Sequence, residues 1–234
     1  SEVERLRELV ERWREELKKL LDELRKVVEE IARELKKIND ELRKLVEDIA
    51  REARRETKKR ELLKELLTRL IKLLEEANER VRDLLRRLLE IIDEILRRLR
   101  ELSKRLIEEA RRETREERVK RALEEVVRTS EEILRELKEI LDRVREELKR
   151  INDDSRRIIK EVVDRLREIL EKADKDDDER VIEELIRVLR KVVEDHADVT
   201  RRLVEVLRKV VKLIEEVLKK DEKVLRDIVD RLKT

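Results

Sequence analysis

The chain contains no glycine, proline, cysteine, methionine, phenylalanine or tyrosine, and reading along it finds no glutamine. Each gap excludes something. Without proline there is no helix kink set by a missing N–H, and without glycine no residue enters a left-handed turn freely. Without cysteine there are no disulfides, no thiolate nucleophile and no clue to redox compartment. Trp13 is the whole aromatic complement and His196 the whole imidazole complement.

One histidine excludes a good deal of metal chemistry. A zinc site takes three or four His, Cys or carboxylate ligands. A di-iron bundle takes Glu-x-x-His, and the residue three before His196 is Val193. A helix-packed aliphatic core leaves no room for a haem. A Ser-His-Asp arrangement would put His196 to work in a dry, filled layer, where no substrate reaches it. There is no glycine-rich phosphate loop. Carboxylate pairs are plentiful, at spacings that put them on solvated helix faces. These absences lead us to expect no enzyme, no metal site and no cofactor.

No apolar stretch approaches the roughly eighteen residues that a membrane helix needs, and no secretory leader opens the chain. It starts at Ser1 without methionine, which reads as the product of a removed leader or tag.

What is present is charge and aliphatic surface in alternation. Charged residues make up 56% of the 234, against about 25% in ordinary globular proteins. Lys plus Arg number 66 and Asp plus Glu 64, for a net charge of +2. That balance argues against nucleic acid, which selects a one-signed patch. Short basic clusters such as Lys58-Lys59-Arg60 alternate with acids and read as a salt-bridged surface.

Apolar residues recur at steps of three and four. The first series is Val3, Leu6, Val10, Trp13, Leu17, Leu20, Leu24, Val28, Ile31, Leu35, continuing to Ile49. Ser1-Glu2-Val3-Glu4 opens it as a capping box. Polar gaps at 54–61 and 111–118, and the Asp-rich run from Asp174 to Glu179, separate four such series. The hexapeptide Glu-Ala-Arg-Arg-Glu-Thr appears at 52–57 and again at 109–114. Thr114-Arg115-Glu116-Glu117 is a second capping box.

The pattern predicts helices over about 2–54, 58–112, 115–173 and 178–233, each roughly 80 Å long if straight. The expected architecture is all-α: an elongated up-down-up-down four-helix bundle over residues 1–234, one coiled-coil-like domain. Helices usually end on a left-handed glycine. Here Lys, Arg or Asp would take that role, at about 1 kcal/mol each.

A few polar residues interrupt the apolar rows. His196 lies on the row Ile182, Leu189, His196, Leu203, Val210 and Thr200 on the row Ile186, Val193, Thr200, Leu207. Four residues apart on one helix, they face the core side by side. With midpoints level, Asn39, Asn78, Asn152 and Ser155 come to the same height, giving a first polar layer. Trp13, Ser103, Ser130 and Asp221 come level at the other end as a second, where Asp221 or a serine would accept from the indole N–H. Such layers penalise slipped registers, because every member would lose its partner.

The restricted alphabet, the Leu/Val/Ile core, the Arg/Lys/Glu surface and the isolated polar layers resemble de novo designed helical bundles with buried hydrogen-bond networks. The resemblance is compositional and covers the whole chain. It is nearest to single-chain four-helix bundles or to designed hairpin heterodimers joined into one chain. The glycine-free connections depart from that pattern. The resemblance implies a hyperstable scaffold with no natural activity, synthetic in origin, expressed as a soluble cytoplasmic recombinant product, with no native location to assign. It implies a monomer that needs no partner. The alternative is an interaction or switch module, in which a detachable helix or paired hairpins read the polar layers.

Overall fold

The computed structural model describes residues 2–55, 60–113, 117–175 and 179–231, with side chains placed for most of them and not for Ser103 or Asp221. All four expected helices are present: α1 (Glu2–Ala53), α2 (Arg60–Glu113), α3 (Glu117–Lys175) and α4 (Glu179–Arg231). Leu, Arg, Lys and Glu are among the best helix formers, so local preference and apolar period agree along every segment. Ion pairs at three- and four-residue spacing support the outer faces, among them Arg51–Asp48, Arg98–Glu94 and Lys219–Glu215.

The helix ends differ from expectation in two ways. First, α3 runs through Asp174 and Lys175, two residues past its expected end and into a stretch read as a connection, while α2 includes Arg60 and Glu61 of the polar gap, as its expected range did. Neither stretch holds a glycine or proline to stop it, and the apolar pattern alone does not mark the final turn. Second, no described residue has a positive φ. No described Lys, Arg or Asp takes the left-handed role. α1 closes instead with Arg54 N–H donating to the Ala50 carbonyl at 3.2 Å and Arg55 N–H to the Glu52 carbonyl at 3.3 Å, the second a tightened three-residue step. The capping residues Ser1, Thr114, Arg115 and Glu116 lie outside the described residues, as do Lys58 and Lys59.

The helices form a four-helix bundle whose close approaches divide it into two compact units. Unit 1 comprises 1–28, 87–146 and 206–234; unit 2 comprises 29–86 and 147–205. Each helix contributes one segment to each unit.

Within unit 1, α1 and α4 run antiparallel, with Arg14 on Glu222 and Arg25 on Glu215. Arg98 on Glu16 joins α2 to α1, Arg145 on Asp93 joins α3 to α2, and Arg231 on Glu125 joins α4 to α3. Leu6, Val10, Trp13, Leu17, Leu20 and Leu24 of α1 are all buried, as are Leu88 and Ile92 of α2, Val126 and Ile133 of α3, and Leu207 and Ile214 of α4. The two successive four-residue steps, Leu20 to Leu24 to Val28, keep all three residues inside.

Within unit 2, ion pairs again join α2 to α1, α4 to α3 and α4 to α1. Arg80 pairs with Glu34, Arg165 with Glu184, Arg202 with Asp154 and Arg190 with Glu47. The core is a continuous aliphatic cluster that includes Ile38, Leu42, Ile49, Leu67, Leu70, Leu74, Leu166, Leu185 and Leu189. Fully burying a leucine or isoleucine is worth roughly 1.5–3 kcal/mol, so these rows dominate the stabilising side. The ion pairs around them sit mostly in solvent and add little apiece. Among them, the Arg25 hydrogen bond holds the Glu215 carboxylate below its ordinary pKa, helped by Lys219, and the Glu215 bond in turn raises Arg25.

Candidate functional site

The buried polar residues are the natural place to look for a site in a core that is otherwise hydrocarbon. In unit 2, His196 and Thr200 are 7% and 6% exposed. Both lie on the inward rows of α4, between Val192, Val193 and Leu203. Asn39, half-buried on the boundary row of α1, reaches both. Its Oδ1 lies 2.6 Å from His196 Nδ1, and its Nδ2 donates to Thr200 Oγ1 at 2.8 Å. Thr200 Oγ1 in turn donates to the Ala197 carbonyl at 3.0 Å.

The direction of this relay follows from what each atom can do. A carbonyl oxygen only accepts, so the single hydroxyl proton of Thr200 goes to Ala197. Thr200 must then accept from its other neighbour, which places the Asn39 NH₂ toward it. Oδ1 of Asn39 therefore faces His196, and because it too can only accept, His196 carries its proton on Nδ1. The neutral ring is left with Nε2 as its basic nitrogen. Burial makes the charged ring costly and pushes the His196 pKa down to about 4. At neutral pH the histidine is uncharged and donating.

The remaining residues of the expected first layer take other positions. Asn78, Asn152 and Ser155 are half-buried, and none of them joins the relay among the described residues. The Asn152 Oδ1 is buried with no hydrogen-bond partner there. The relay thus bridges α1 and α4.

In unit 1, Trp13 and Ser130 of the expected second layer are both 2% exposed. The Ser130 hydroxyl has no partner among the described residues. The Ser103 and Asp221 side chains lie outside the described set.

Several polar features were not legible in the sequence. Thr129 is buried and turns its hydroxyl back to the Glu125 carbonyl at 2.9 Å, a local bond that any helical threonine can make. Glu52 is 8% exposed, one carboxylate oxygen on Arg55 and the other buried without a described partner. The Arg82 Nε is likewise buried and unpartnered among the described residues. A long charged side chain can lie along an apolar surface or point into water from the same row, so its row does not decide its burial.

The cavities among the described residues are chemically plain. In unit 1, Ile95, Ile140, Val144, Val210 and Ile214 are among the residues lining an apolar void of about 10 Å³. It offers a water no polar partner. In unit 2, one surface groove runs between α1 and α4 and another between α3 and α4, with Arg187 and Lys191 on the rim of both. Among the described residues no group of three or more His, Cys, Asp or Glu is placed to hold a metal ion. No described helix is long and apolar enough to cross a membrane. No family model matches the chain, and no curated protein or solved structure shows significant similarity to it.

Proposed function

We propose that this chain is a designed structural scaffold without natural catalytic activity, in which an aliphatic core supplies stability and buried polar residues set register. The observation that supports this best is the closed course of the relay. It runs from His196 through Asn39 and Thr200 to a carbonyl of the same helix. Its hydrogen bonds are directed at protein atoms, as in a positioning device. A slip of α1 along α4 would break both bonds that Asn39 makes across the helix pair, so the relay favours one register over the others. On this reading the protein needs no cofactor, nucleic acid, membrane or partner, and its measurable property is stability. The expected melting temperature is above roughly 90 °C, the usual threshold for hyperstability. A cooperative calorimetric transition in the ordinary mesophile range would refute the scaffold reading.

A second reading is an interaction module, in which hydrogen-bonded layers select a helical partner. It is favoured by one feature: the relay joins the first helix to the last, the pair that meets only through tertiary structure. Light scattering separates the two. A mass that stays near 28.7 kDa across a hundred-fold range of concentration supports the scaffold; reversible self-association supports the module.

A further inference from the structure

The one histidine of the chain lies in unit 2, and unit 1 holds none. We propose that acid opens unit 2 selectively, because the Asn39–His196–Thr200 relay cannot accommodate a second ring proton, while unit 1 keeps its packing.

The relay fixes where that proton must go. Nδ1–H is already committed to the Asn39 Oδ1. Neither other member can turn to help: Asn39 points its NH₂ at Thr200, and Thr200 points its proton at Ala197. A new proton therefore lands on Nε2, on the side of the ring away from the relay. There it needs a carboxylate or a carbonyl acceptor, or exit to water.

The charged groups of unit 2 do not provide one. On α1, the inward-leaning carboxylates Glu34, Asp48 and Glu52 are held by Arg80, Arg51 and Arg55. On α2 the half-buried ion is Arg82, a cation that would repel a second positive charge. On α3, Asp154 is shared by Arg157 and Arg202. On α4, Glu184 is paired with Arg165, and Asp195 lines the surface groove toward α3 beside Glu161 and Lys191. None of these is hydrogen-bonded to His196 among the described residues. Burial, unopposed by a nearby carboxylate, is what depresses the ring's pKa.

The direction of the pH effect follows. The unfolded or opened segment takes up a proton as pH falls through about 6.5. The closed segment resists until about 4. Between those values the open form binds more protons, so closure weakens as pH falls and levels off below the closed-state value. With these two values the opening constant of unit 2 rises about 200-fold between pH 7 and pH 3.

Residue-resolved amide exchange on the full chain tests this, with rates corrected for intrinsic pH dependence. The comparison protein is the triple variant Asn39→Leu, His196→Leu, Thr200→Val. Across that pH range the parent should lose about 200-fold more protection than the variant at residues 29–53 and 179–205. Helix segments of unit 1 around Trp13 should change equally in both proteins. Equal loss in parent and variant within unit 2, or a parent loss spread evenly over both units, would overturn the proposal. A direct readout covers the case of a variant that does not fold. The ring of His196 in the parent should be neutral with its proton on Nδ1 at pH 5 by nitrogen NMR, and a ring half-protonated near pH 6.5 would overturn the proposal as well.

Discussion

Replacing Trp13 with alanine is expected to lower the unfolding free energy by about 3–5 kcal/mol, the range for deleting a large buried aromatic side chain. Trp13 is 2% exposed and is the largest side chain of the molecule to be fully enclosed. It sits on the α1 row among Leu6, Val10 and Leu17, all of them buried. Alanine would leave a void among packed aliphatic rows, which close poorly around a hole because their side chains are already interdigitated. Guanidinium unfolding followed by circular dichroism measures the loss without needing the indole signal. Trp13→Phe separates the two contributions of the residue. Phenylalanine keeps most of the apolar volume and drops the N–H, so it should retain more than half of the difference. A Trp13→Ala midpoint within experimental error of the parent would show that this side chain is not the packed centre of unit 1.

The second large effect is one of sign as well as size. Asn39→Ala alone should cost about 2–4 kcal/mol. It removes two hydrogen bonds and leaves the His196 Nδ1–H facing hydrocarbon with no acceptor. An orphaned buried donor costs about 1–3 kcal/mol by itself. The triple variant Asn39→Leu, His196→Leu, Thr200→Val removes more hydrogen bonds and should nevertheless be the more stable of the two. At neutral pH it should lie within about 1 kcal/mol of the parent or above it. Replacing a complete buried polar set with aliphatic groups of similar size is often neutral or favourable. What the triple variant gives up is register: α1 and α4 could slide by a heptad at little penalty. Denaturation curves of the parent, the single and the triple variants decide the matter. If the triple variant is the least stable, the relay is a source of net stability, and its role as a register lock loses its energetic basis.

The two effects differ in how far the sequence alone reveals them. Burial of Trp13 is legible from spacing, because Leu6, Val10, Trp13, Leu17, Leu20 and Leu24 share one face of a helix at the α-helical period. The same periodicity places His196 and Thr200 inward, since their rows are otherwise apolar. It yields four helices and bounds most of their ends to within a few residues. It does not yield the partner of His196. Asn39, Asn78, Asn152 and Ser155 are equivalent candidates when height along a helix is the only guide. Asn39 reaches the pair because α1 lies beside α4 and its boundary row turns toward the seam. Asn152, on the boundary row of α3, is left with a buried oxygen and no described partner.

Periodicity along the chain reports which face of a helix avoids water, a property each segment carries alone. That is why the helices, their apolar rows and the inward turn of His196 are legible in the sequence alone. The donor–acceptor order from His196 to Ala197, the division of the core into two units and the negative φ at the end of α1 belong to arrangements of several segments or of backbone at a terminus. They arise from the distances and angles at which neighbouring groups meet in space, about which the repeat of leucine, valine and isoleucine along a helix is silent.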